Sequence, residues 1–205
     1  MSDLNTAAST EPGHYGAAGT GQLTVREAKI GAAWNIQGDP ARSTFAEEAR
    51  RLFALSLPVT PNTMTSSNAL TALWLGPTSW LLIAGAPLSS MHPLADYSAK
   101  RDALNGAGGA LFDVSASRVA WSLAGPKATT VLAKGCPLDF HSRVFPVGSC
   151  AQSLFGHVNA LFCKHADDAF TLLVPRSFSR DVWSMLCEAG AQYGYEVLPP
   201  APFGD

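Results

Sequence analysis

The chain reads as an α+β protein made of two pseudo-repeated β-α-β-β-α lobes with mainly antiparallel sheet. Three observations predict this. Apolar runs of strand length alternate with segments whose apolar residues recur every three to four positions. Several helical segments open at a proline or a capping residue and close at a glycine. Ala33-Trp34-Asn35-Ile36-Gln37-Gly38 is echoed by Ala120-Trp121-Ser122-Leu123-Ala124-Gly125, and Leu81-Leu82-Ile83 by Leu172-Leu173-Val174. Each echoed strand ends in glycine with a proline soon after, as if one turn solved the same problem twice. Two copies are too few for a solenoid, which needs about three, so the lobes are expected to share a core, with helices on one face of the sheet. The expected division is a mobile arm over 1–22, a first lobe over 23–107, a second over 108–198 and a C-terminal tail over 199–205.

Taken in order, residues 1–22 are rich in Gly, Ala, Ser and Thr without apolar period, the composition of an arm. Order begins near Leu23, with a strand over Ala32–Gln37. Thr44 and Glu47 form a capping-box pattern, and Phe45, Ala49, Leu52 and Phe53 then make one apolar stripe on a helix that stops before Pro58. Residues 58–68 are a polar connection. Leu70–Leu75 and Trp80–Ala84 read as a hairpin across Gly76-Pro77-Thr78-Ser79. Pro93 suits the first turn of a helix carrying Leu94, Tyr97 and Leu104, with Gly106 as its cap.

In the second half, Leu111–Val114 and Val119–Leu123 read as strands around a Ser-Ala-Ser turn. Pro126 opens a helix that carries Val131 and Leu132 and ends at Gly135. Val158–Lys164 and Ala169–Val174 make a hairpin across Ala166-Asp167-Asp168. Ser177 is placed to cap a last helix, with Phe178, Val182, Leu186 and Ala189 as its buried stripe.

Composition narrows the function. The 205 residues are 47% hydrophobic and 15% charged, richer in apolar and poorer in charged residues than a free-standing domain. That pattern fits a surface shared with another protein as well as it fits a compact monomer. Net charge is −2, and residues 1–105 and 106–205 each hold 7 Lys/Arg and 8 Asp/Glu, which gives no footprint for nucleic acid. Gly76, Pro77, Gly85 and Pro87 interrupt the best apolar run, so no membrane span is expected. The first twenty residues lack the basic start and apolar centre of a signal peptide, and a cytoplasmic protein is expected. Cys136, Cys150, Cys163 and Cys187 form no C-x-x-C pair and read as reduced core thiols.

The five histidines, His14, His92, His141, His157 and His165, form neither H-x-H nor H-E-x-x-H, so no metal site is expected. Ser149 in G-S-C-A-Q lacks the second glycine of a nucleophile elbow. Cys136 follows a helix C-terminus, where the dipole disfavours a thiolate. Gly106-Ala107-Gly108-Gly109 follows a helix, whereas a dinucleotide loop follows a strand. The densest polar cluster lies between Gly135 and Val158, a stretch too broken for a helix. There Asp139, His141 and Arg143 alternate and would line one side of an extended segment, either as an oriented base or as a docking edge with a surface ion pair. Phe140, Phe145 and Phe155, interleaved with them, suit either core packing or aromatic anchors of an interface.

Several segments carry a resemblance: F-D-V-S-A-S-R-V-A-W-S-L-A-G-P-K-A from Phe112, K-G-C-P-L-D-F-H from Lys134, F-P-V-G-S-C-A-Q-S-L-F-G from Phe145 and L-L-V-P-R-S-F-S-R from Leu172. With them the chain resembles the gamma subunits of heterotetrameric sarcosine oxidases. The resemblance implies a non-catalytic assembly subunit with alpha, beta and delta partners, in an oxidoreductase that demethylates sarcosine to glycine, releases hydrogen peroxide and passes the one-carbon unit to tetrahydrofolate. It implies FAD, FMN and NAD in the alpha and beta chains, zinc in delta, folate on an alpha-chain domain, and no cofactor in this one. The expected partner contacts are Asp139, His141, Arg143 and Phe145, with Ser177, Phe178, Arg180 and Trp183 from the last helix. The second half is also similar to the folate-binding aminomethyltransferase fold, which raises the alternative of a stand-alone one-carbon transferase. Lys134-Gly135-Cys136 matches the letters of an iron–sulfur maintenance motif, but Pro137-Leu138-Asp139 does not continue it.

Overall fold

The computed structural model describes residues 11–17, 22–67, 70–85 and 94–204. Its elements open with β1 (Gly13–Tyr15), β2 (Thr24–Gln37), α1 (Ser43–Phe53), β3 (Met64–Ser66), β4 (Thr71–Gly76) and β5 (Ser79–Gly85). Next come α2 (Tyr97–Gly106), β6 (Ala110–Asp113), β7 (Arg118–Ala124) and α3 (Ala128–Gly135). The chain then forms β8 (Cys150–Phe155), β9 (Val158–Ala166), β10 (Ala169–Pro175), α4 (Ser179–Ala191), β11 (Tyr195–Val197) and β12 (Ala201–Pro202). They gather into two compact units, one within Met1–Lys29 and Ala116–Ala201, the other within Ile30–Ser115 and Pro202–Asp205.

In the unit within Ile30–Ser115, β3, β4, β5, the second part of β2 and β6 pair antiparallel in that order. The helices bring Phe45, Ala49, Phe53 and Leu104 to Trp34, Ile36, Trp80 and Leu82 of the sheet. Phe45 stacks on Trp80 at 5.9 Å, and the buried Trp80 Nε1–H donates to Pro58 O at 2.7 Å. Gly38 and Gly109 both lie against the Phe45 ring, where a Cβ at either would overlap it.

In the other unit the antiparallel order is β8-β9-β10-β7-β2, the last through Thr24–Glu27. Then β11 runs parallel to β2, and β1 pairs antiparallel with β11. One sheet face carries Val119, Trp121 and Leu123, Phe170, Leu172 and Val174, and Ala160 and Phe162. Val131 and Leu132 of α3 and Val182, Trp183 and Leu186 of α4 pack on it. Leu161, Cys163 and Leu173 of alternate parity are buried too, which is why these strands read as near-continuous apolar runs.

The α+β class, the mainly antiparallel pairing and the two long hairpins match the sequence reading. Several local expectations do not. Helix α1 starts at Ser43 with Arg42 as N-cap and no side-chain capping bond, so Thr44 lies inside the first turn and its hydroxyl donates to Ala107 O. Pro93 lies outside the described residues; α2 starts at Tyr97, and its cap is Ala107, with the left-handed glycine at Gly108. Ser177 sits in a short 3-10 turn, Arg176–Phe178, and α4 begins after it with Phe178 as a non-bonding N-cap. That offset leaves Phe178 40% exposed and gives its expected place in the buried stripe to Trp183.

Longer-range expectations also change. β6 and β7 do not pair across Ser115-Ala116-Ser117: β6 pairs with Trp34–Gln37, and β7 pairs with β10 and with Thr24–Glu27. A strand of fourteen residues is long enough to serve both units, so β2 draws Thr24–Glu27 out of the expected first lobe and β6 out of the second. Inside the expected mobile arm, Gly13–Tyr15 form β1, held by register with β11 and by Tyr15 stacking on Tyr195 at 5.7 Å. In the expected tail, Ala201 and Pro202 form β12 and Phe203 is buried. The echoed glycines also differ in purpose. Gly125 needs its positive φ of 118°, whereas Gly38 makes room for Phe45.

Candidate functional site: the turn between Pro137 and Ser149

Helix α3 ends with the Cys136 N–H donating to Leu132 O, and the chain enters the stretch that the sequence marked as too broken for a helix. Its second half is nevertheless regular, because Cys150–Phe155 form β8 against β9. Its first half is a turn. The Asp139 carboxylate accepts the His141 backbone N–H at 2.9 Å, and His141 Nδ1 accepts the Arg143 N–H at 3.2 Å. His141 O in turn accepts from Val144 and Phe145, both at 2.8 Å. These side chains therefore spend their acceptors on the backbone, as turn-forming Asp commonly does.

That geometry decides between the two readings of the Asp–His pair. The carboxylate bonds the histidine's amide and not its ring, so no oriented base is built. Nor does Arg143 form the expected ion pair among the described residues. The turn is curved, so Asp139, His141 and Arg143 do not line an extended edge, although all three are exposed. Phe145 is only 6% exposed and packs edge-on against Phe140 at 5.7 Å, so its ring belongs to the core. Val144 and Val147, at 67% and 54%, are the apolar side chains that the turn turns outward.

The group that holds the turn was missed in the sequence. Lys164 of β9 is fully buried, and its ammonium donates to Ser142 Oγ at 3.0 Å and to Phe140 O at 3.4 Å. It also lies 5.5 Å from the centre of the Phe170 ring and 4.0 Å from the exposed Asp167 carboxylate. The backbone of the same residue closes the turn, since Gly148 N–H donates to Lys164 O and Lys164 N–H to Ser149 O, both at 2.9 Å. A signal was present: Lys164 shares strand parity with Ala160 and Phe162, so an alternating reading places a lysine on the core face.

The second candidate segment is pinned from within. Arg176 Nε donates to Ala116 O at 2.8 Å and its Nη2 to Arg118 O at 3.1 Å, fixing the 3-10 turn to the start of β7. Ser177, Phe178 and Arg180 are exposed, and the Phe178 ring meets His157 at 6.4 Å. Trp183 is buried and stacks on Trp121 at 6.1 Å, because the facing strand, remote in sequence, supplies its partner. Of the eight expected contacts, Phe145 and Trp183 are thus structural, and six remain on the surface.

Lys134 and Gly135 also have a packing account. They line a groove of about 350 Å³ with Phe155, Gly156 and Met185, and a Cβ on Gly135 would meet the Phe155 ring at 2.7 Å. Among the described residues no three His, Cys, Asp or Glu side chains are grouped to hold a metal, and no helix is long and apolar enough to cross a membrane.

The Pro137–Ser149 turn, which exposes Asp139, His141, Arg143, Val144 and Val147, belongs to the unit that holds Ala116–Ala201, one of two antiparallel α+β units. The chain's fold is shared with the glycine cleavage system aminomethyltransferase T from Bartonella henselae, at a TM-score of 0.58 and 15% identity over 88% of this chain and 48% of that one. A solved heterotetrameric sarcosine oxidase from Corynebacterium sp. U-96, in complex with pyrrole 2-carboxylate, contains a more similar chain. The TM-score there is 0.73, with 26% identity over 87% of this chain and 88% of that one. The sarcosine oxidase subunit gamma of Corynebacterium sp. (strain P-1) is 31% identical over 181 residues, 87% of this chain and 85% of the relative. That of Arthrobacter sp. is 30% identical over 159 residues, 77% and 74% of the two chains. The model of the sarcosine oxidase, gamma subunit family matches residues 37–192. The chain belongs to the sarcosine oxidase gamma subunit family.

Proposed function

We propose that the chain works as the gamma subunit of a heterotetrameric sarcosine oxidase and that its task there is docking. Family membership supports the assembly. The observation that carries the docking role is the Pro137–Ser149 turn, which a buried lysine and backbone bonds hold in place while Arg143, Val144 and Val147 are exposed. On this reading the partners are the alpha, beta and delta chains. FAD, FMN, NAD, zinc and the tetrahydrofolate that accepts the one-carbon unit reside in those chains, and catalysis is theirs. The complex demethylates sarcosine to glycine and releases hydrogen peroxide in the cytoplasm. The two units are read as pseudo-repeats of one pattern, supported by the echoed strands and by the three strands, β3–β5 and β8–β10, that lie between the two helices of each, one strand more than the expected β-α-β-β-α order. A stand-alone folate-dependent transferase is not favoured, since its support is a shared fold alone.

The proposed contacts are Asp139, His141 and Arg143 from the turn, with Ser177, Phe178 and Arg180 beside α4. Arg143→Glu is the sharpest single test. The guanidinium is exposed and makes no ion pair among the described residues, so its reversal leaves the fold's melting temperature unchanged while adding a like-charge clash at the interface. The expected result is at least tenfold weaker capture of the other subunits, read by co-purification of the co-expressed chains. Capture at the unaltered level removes Arg143 from the interface.

A further inference from the structure

Cys150 and Cys163 face one another across β8 and β9 in exact register. The neighbouring Lys164 N–H donates to Ser149 O, which makes Ser149 and Lys164 the hydrogen-bonded position and Cys150 and Cys163 the non-hydrogen-bonded pair beside it. In such a pair the Cα atoms lie about 4.5 Å apart and the side chains project together from one face. That spacing falls within the roughly 4.4–6.8 Å that a disulfide spans. No disulfide joins them, and both side chains are fully buried.

We infer that Cys150 and Cys163 form a dithiol that a two-electron oxidant of the peroxide class converts to a cross-strand disulfide, stapling the terminal strand β8 to β9. Access comes from the position of β8: it ends the sheet order, and a terminal strand is among the first segments to open. Opening frees Cys150 first. Its thiolate attacks one peroxide oxygen, the O–O bond breaks, and a sulfenic acid forms with release of hydroxide. When the strand closes, the Cys163 sulfur attacks that sulfenic sulfur, its own S–H proton is lost, and the S–O bond breaks as S–S forms. Two thiols and one peroxide thus give one disulfide and two waters. Burial, and after it the neighbouring Cys150, push the Cys163 thiol well above its ordinary range, so its attack is slow near neutral pH and the bond forms faster at higher pH. Neither Cys136 nor Cys187 is paired in register with a second cysteine.

The test exposes the reduced, folded full chain to hydrogen peroxide, alkylates the remaining thiols, and reads intact mass and non-reducing peptide maps. The expected product is lighter by two hydrogens, links Cys150 to Cys163, leaves Cys136 and Cys187 alkylated, and reverts with dithiothreitol. A Cys136→Ser, Cys187→Ser double variant should keep the link. Cys163→Ser should lose it and leave Cys150 as a sulfenic acid that dimedone traps. The inference is overturned by oxygen adducts without a link, by a link that uses Cys136 or Cys187, or by unchanged thiols at peroxide levels that already oxidise the methionines.

Discussion

Lys164→Ala should cost about 2–4 kcal/mol of folding stability, the range for emptying a buried site and leaving one carbonyl without its donor. The side chain is fully buried, and its removal leaves Phe140 O without its lysine donor, while the exposed Ser142 hydroxyl keeps its bond to the Asp167 carboxylate. The cost should be local in effect. Hydrogen exchange at Val144, Phe145 and Gly148 should accelerate more than at the β9–β10 hairpin, because the turn loses its internal anchor while the strand bonds persist. Lys164→Met keeps the volume and should recover part of the stability without restoring the slow exchange. Chemical denaturation measures the first quantity and amide exchange the second. Uniform acceleration throughout the unit would mean that Lys164 supports the core generally and does not hold the turn.

Trp121→Ala should be the most damaging substitution, costing about 3–5 kcal/mol. The indole is fully buried at the centre of its sheet face and is stacked on Trp183 of α4, so truncation removes the contact that seats the helix. Trp121→Phe is the informative partner. The Nε1–H makes no hydrogen bond among the described residues, so exchanging it for a ring without a donor relieves an unmet polar group while losing some area. The expected change is within about 1 kcal/mol, read from denaturant midpoints at unchanged slope. A loss as large as that of alanine would show that the indole N–H is paired in solution.

What was legible in the sequence follows the range of the forces involved. The β9–β10 hairpin announced itself through two apolar runs and the Ala166-Asp167-Asp168 turn, and the β4–β5 hairpin through Gly76-Pro77, because turn chemistry and strand pairing are there neighbours along the chain. The partner of β6 was not legible. A strand of four residues next to β7 looks like half of a hairpin, and only tertiary contact reveals that it pairs with β2. The same limit applies to the site. Asp139, His141 and Arg143 were found as a polar cluster, but their turn depends on Lys164, which lies across a strand boundary. Phe145 and Trp183 looked like interface anchors because aromatics serve cores and interfaces alike, and their burial is settled by Phe140 and Trp121.

The proposed docking role places this chain within an assembly. Its most direct test is the native mass of the tagged chain purified gently from its own host, recorded with the visible spectrum and with sarcosine-dependent peroxide release. The expected result is a flavin-coloured complex of four different chains, several times heavier than 21.5 kDa, that oxidises sarcosine. A colourless monomer that leaves sarcosine untouched would contradict the docking account and return the exposed turn to an unassigned surface.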